Sequence, residues 1–107
     1  MNSRSVPTPV PIRRALRDAG QHLSDWRRLQ GLTVEQVADR AGVGVATLYR
    51  IESGNGASFE NILRVARALG VLDRVISALD PSETDIGRMR ALESLPKRIR
   101  PSRDGQP

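Results

Sequence analysis

Residues 33–54 read TVEQVADRAGVGVATLYRIESG, a helix, a glycine turn and a second helix in about the shortest span that can hold them. Thr33 is a good N-cap. Gln36, three residues on, completes the reciprocal pattern in which each side chain serves an orphan backbone N–H of the first turn. Val34, Val37, Ala38 and Ala41 fall at i, i+3, i+4 and i+7, so one narrow face is apolar and built of small residues that let a neighbour approach. Gly42 stands where a left-handed residue closes a helix, and Gly44 is a weak N-cap for the next one.

In the second helix Leu48 and Ile51 share one face. At 100° per residue the opposite side carries Ala46, Tyr49, Arg50 and Ser53, with Val45 on the flank. This set is small, hydroxylated or cationic, which suits a helix laid against base edges. Arg50 can pair bidentately with guanine, Val45 and Ala46 can touch thymine methyls, and Thr47, Tyr49 and Ser53 can reach phosphate oxygens. An ordinary surface helix with a solvated arginine would carry the same residues, and both readings stay open at this point.

Working outward, periodicity predicts three more helices. The first spans Pro11 to Gln30, with Leu16, Ala19, Leu23 and Trp26 facing inward. The fourth starts from the N-cap Ser58, buries Phe59, Ile62, Leu63, Ala66 and Leu69, and ends at Gly70. The fifth carries Leu72, Val75, Ile76 and Leu79 and is stopped by Asp80-Pro81. The fold expected is all-α: a compact five-helix domain over residues 12–80, a flexible arm over residues 1–11, and an extension over residues 81–107. In that extension Ile86, Met89 and Leu92, with Leu95 beyond, recur every three residues, enough for a short helix that Gly87 weakens. The stripe suits packing on its own domain or contact with a second subunit or another protein. Residues 96–107 read as a basic disordered tail.

The segments WRRLQGLTVEQVADRAGVGVATLYRIESG and SFENILRVARALG carry a resemblance. Residues 19–79 resemble the helix-turn-helix domain of the XRE family, the type found in phage repressors, Cro and many small bacterial regulators. The Gly-Leu-Thr entry, the Ala-Gly-Val turn and the Ile-Glu-x-Gly close carry it. The resemblance implies a five-helix bundle, DNA contact at Val34, Val45, Ala46, Thr47 and Arg50, and a structural salt bridge between Arg27 and Glu52. It further implies a repressor acting as a homodimer on an operator of two half-sites. The alternative is an antitoxin that binds its own promoter and holds a toxin through residues 82–107. The chain departs from the family pattern at Val34, where glutamine is usual, and at Gly44 and Ala46, where polar residues are common. Those departures shift specificity toward Arg50, methyl contacts and DNA shape.

Composition bounds the remaining classes. The 107 residues suffice for one small domain with tails. There is no cysteine and one histidine, so no disulfide framework, thiolate metal site or catalytic triad is expected, and no cofactor. His22 reads as a solvated surface residue. No phosphate-cradling or nucleophile-elbow motif appears, which argues against an enzyme. No apolar run approaches the roughly 18 residues of a membrane span, and a cytoplasmic protein is expected. The net charge is +5, and it is uneven. Residues 1–30 carry six arginines against Asp18 and Asp25, residues 31–80 are nearly balanced, and residues 81–107 are again basic. Arginine supplies all but one of the 17 basic residues. This favours forked phosphate contacts, although a GC-rich coding bias gives the same excess.

Overall fold

The computed structural model describes residues 6–93. Residues 1–5 of the expected arm, Leu95 and the basic tail lie outside them. The described residues form helices and no strand: α1 (Val10–Leu29), α2 (Val34–Ala41), α3 (Val45–Glu52), α4 (Phe59–Ala68), α5 (Leu72–Leu79) and α6 (Asp85–Glu93), with one 3-10 turn at Pro81–Glu83. The all-α class and the five-helix order expected from periodicity hold, and a sixth short helix occupies the extension. The chain divides into two compact units, one ending at Leu72 and the other beginning at Asp73.

The first unit is built around α2. Val34, Val37, Ala38 and Ala41 are all buried, so the apolar stripe on α2 is its core face. Thr33 Oγ1 accepts from the Gln36 N–H at 3.1 Å and Gln36 Oε1 accepts from the Thr33 N–H at 2.9 Å, which closes the capping box. Gly42 takes φ 71°, and the Gly42 and Val43 amides return to the carbonyls of Asp39 and Ala38. A residue with a Cβ would strain this turn. α2 packs on α3 and α4, and α1 packs on α3. Val37, Leu48 and Val65, one from each of α2, α3 and α4, are fully buried. Gln30 Nε2 donates to the Leu69 carbonyl at 2.7 Å, so the end of α1 satisfies an orphan acceptor at the end of α4.

Two helix faces differ from expectation. On α1 the buried residues are Gly20, Leu23 and Ser24, while Leu16 and Trp26 are half-buried and Ala19 is exposed. The contact face is turned by one residue because α1 crosses close to main chain. A Cβ on Gly20 would collide with the Ile51 carbonyl oxygen and lie 3.0 Å from that of Glu52. On α4 Val65 and Ala66 are both fully buried, Val65 outside the expected stripe, and Phe59, at the first turn, is exposed.

In the second unit no residue of α5 or α6 is fully buried. Asp80 Oδ1 accepts from the Ser82 N–H at 2.9 Å and caps the 3-10 turn. That backbone hydrogen bond, with a second from the Ser82 hydroxyl, holds the Asp80 carboxyl below its ordinary value. Thr84 Oγ1 accepts from the Gly87 N–H at 3.0 Å and donates to the Pro81 carbonyl at 2.9 Å. Gly87 therefore does more than weaken α6, since a Cβ there would strike the Pro81 carbonyl. The glycine lets the 3-10 turn fold back against the start of α6.

Candidate nucleic-acid interface

The inward side of α3 is Leu48 and Ile51, both buried. Its outer side presents Val45, Ala46, Tyr49 and Arg50 to solvent, with Thr47 half-buried and Ser53 exposed at the C-cap. Tyr49 is 54% exposed, ample for a phenol ring in a groove. Gly44 starts α3 without a side-chain cap, so the first amides of the helix have no hydroxyl across them. Such amides can donate to an anion.

Val34 is placed differently from its neighbours in the expected contact set. Its side chain is 8% exposed and belongs to the core face of α2.

The structure brings Arg27 and Glu52 together. Arg27 Nε donates to Glu52 Oε2 at 2.8 Å, Nη2 donates to Oε1 at 3.0 Å, and Nη1 donates to the Leu32 carbonyl at 3.0 Å. Both side chains are 12% exposed. This forked arrangement needs a guanidinium, because an ammonium cannot present two parallel donors. The hydrogen bond to Glu52 raises the Arg27 value above its ordinary one, against the opposing effect of burial. The arginine therefore stays charged at any pH at which the protein folds.

At the far end of α3 the chain closes on itself. The Gly54 and Asn55 amides donate to the Ile51 and Arg50 carbonyls at 3.1 and 2.9 Å, with Gly54 at φ 80°. Ser53 Oγ donates to the Arg50 carbonyl at 3.2 Å and accepts from Asn55 Nδ2 at 2.9 Å. Arg50 Nη2 reaches over the turn to the Asn55 carbonyl at 3.3 Å.

Helix, left-handed glycine turn and outward-facing second helix are thus in place, and residues 23–73 match the family model for a helix-turn-helix domain. These residues are an XRE-type helix-turn-helix domain. No curated protein and no solved structure matches the chain. The XRE domain supports a DNA-binding transcriptional regulator, and α3 is the second helix of its helix-turn-helix. It starts inside α1 and ends at the start of α5. Among the described residues, no group of His, Asp and Glu is arranged to hold a metal ion, and no helix is long and apolar enough to cross a membrane.

Within the XRE domain, Asn55 is the residue sequence reading passed over. It ties Ser53 and Arg50 into one network through an amide and a carbonyl. The only sequence signal was a polar residue between two glycines directly after the helix. For the Arg27 and Glu52 pair, a double-mutant cycle in chemical denaturation is expected to give a coupling of about 1 to 2 kcal/mol, above that of a typical exposed pair. A coupling near zero would make them two independent surface charges.

Proposed function

We propose that the protein is a repressor that binds a two-half-site operator as a homodimer, reading each half-site with α3. The observation that carries this is the division of α3 into a fully buried inner face and an outer face of methyl, hydroxyl and guanidinium groups. Val45 and Ala46 meet thymine methyls, Arg50 pairs with a guanine, and Thr47, Tyr49 and Ser53 contact phosphates. Residues 12–80 serve as the DNA-binding domain and residues 81–107 as an extension for assembly. Recovery of bound genomic fragments identifies the operator. On that site Arg50→Ala is expected to cost about 1 to 3 kcal/mol, with a much smaller loss on random DNA. Equal losses on both DNAs would assign Arg50 to the phosphates and remove its readout role.

The dimer is supported by α6, where Ile86, Met89 and Leu92 are 62–82% exposed on a single chain. Apolar side chains at this spacing, left in water, fit a contact with a second copy. Truncation after Asp80 is expected to leave a helical, monomeric protein with weakened operator affinity, because one half-site is lost. Sedimentation with circular dichroism decides the matter: a truncated chain still dimeric, with unchanged affinity, sinks the dimer through α6. The same exposed stripe fits a toxin, and the antitoxin reading gains if that result coincides with a toxin gene beside this one.

A further inference from the structure

The XRE match begins at Leu23, yet α1 begins more than three turns earlier, at Val10. On a helix, residues 13, 17, 20, 24 and 27 lie on one face. In this chain they are Arg13, Arg17, Gly20, Ser24 and Arg27. The last of them binds Glu52, at the end of α3. Gly20 sits against the Ile51 and Glu52 carbonyls. Next along the face, Arg17 lies on the turn after α3, so close that a Cβ on Gly54 would be 2.8 Å from the Arg17 Cα. Arg13 lies one turn further along the same face, toward the start of α1. The same face that clamps the recognition helix therefore continues beyond it, and there it changes from glycine and serine to two exposed arginines.

These arginines have no acidic neighbour on their face. The first turn of α1 has no acidic residue, Asp18 falls on another side of the helix, and the Asp25 carboxylate is engaged by Gln21. Neither Arg13 nor Arg17 forms a salt bridge among the described residues. Arg13, at the end of the first turn of α1, also sits near the positive end of the helix dipole, a placement that disfavours the free protein and that a polyanion relieves. The turn they flank carries Ser53 and Asn55, and the Asn55 carbonyl holds Arg50.

We propose that Arg13 and Arg17 form a second DNA contact, a clamp on the phosphate backbone next to the groove occupied by α3. The proposal rests on the reading of α3 as the DNA-facing helix. It adds a contact outside the XRE domain, sequence-independent and electrostatic, that strengthens binding to all duplexes alike.

Phosphate contacts count themselves in the salt dependence of affinity, so the test needs no operator. Binding of the full chain to a mixed-sequence duplex is titrated over a range of salt. For the double variant Arg13→Gln/Arg17→Gln, the slope of log affinity against log salt is expected to fall by about 2, with binding at low salt weakened about tenfold or more. Thermal unfolding and helicity are expected to stay as in the wild type. The Arg13→Lys/Arg17→Lys variant is expected to restore most of the slope, since the charge is kept. A pair of equal charge loss, Arg28→Gln/Arg67→Gln, should change it far less. An unchanged slope in the glutamine variant, or an equal fall in the Arg28/Arg67 pair, overturns the clamp while leaving α3 as the reader. A wild-type chain that binds no duplex even at low salt overturns both.

Discussion

Gly20→Ala is expected to destabilise the first unit by about 3 kcal/mol, although alanine is the better helix former by about 1 kcal/mol. On an exposed helix the substitution would be a gain. Here the added methyl would lie 2.1 Å from the Ile51 carbonyl oxygen, and an obstacle made of main chain cannot rotate away as a side chain can. α1 would have to lift from the end of α3, and that would pull Arg27 from Glu52, where it donates two hydrogen bonds. Gly20→Val should be worse. For comparison, Ala19→Gly, one residue away on the exposed side, is expected to cost only the intrinsic propensity of about 1 kcal/mol. Urea midpoints of the variants check the order. A Gly20→Ala protein at least as stable as the wild type would show that α1 does not dock through this glycine.

Leu48→Ala carries the second large effect, about 2 to 5 kcal/mol. Leu48 is 0% exposed and is the largest of the fully buried side chains shared by α2, α3 and α4. Its removal leaves a cavity that Val37 and Val65, both stiff at the first side-chain torsion, fill poorly. A domain of this size has roughly 5 to 15 kcal/mol in hand, so the variant should melt far below the wild type. It should nonetheless bind DNA normally at low temperature, because no outer residue of α3 is altered. Thermal denaturation followed by binding below the transition separates the effects. A variant with unchanged melting would mean that Leu48 is not core, and one that is folded but fails to bind would mean that the inner face also sets DNA geometry.

Much of the fold was legible because its signals are local. Thr33 and Gln36 lie three residues apart and meet within one helical turn, and Gly42 needs only its own backbone to close α2. The buried face of α2 follows from a four-residue pattern. The face of α1 departs from its sequence pattern for the opposite reason. Ala19 and Gly20 are both small, and which of them points inward depends on how near the carbonyls of Ile51 and Glu52 come, a distance set by residues far along the chain. Phe59 was placed inside by its hydrophobicity and Val65 passed over, because a stripe drawn through one helix does not say where the neighbouring helix stops. At the candidate site, Val34 was assigned both to the core stripe and, by resemblance, to DNA. The two uses compete for one side chain, and burial decides it. The grip of Arg50 on the Asn55 carbonyl had no sequence signal, since every residue carries that acceptor.

The three hydrogen bonds of Arg27 also bear on the kinetics of recognition. One guanidinium fixes α1, the Leu32 carbonyl before α2 and the last residue of α3, so α3, the helix proposed to read DNA, is oriented before any duplex arrives. Ordering that costs free energy in binding for a floppy reader is here completed during folding. Association should then proceed at a rate set by diffusion and charge steering, steep in ionic strength and with little dependence on temperature beyond solvent viscosity. Discrimination between sites would appear in how long the protein stays bound.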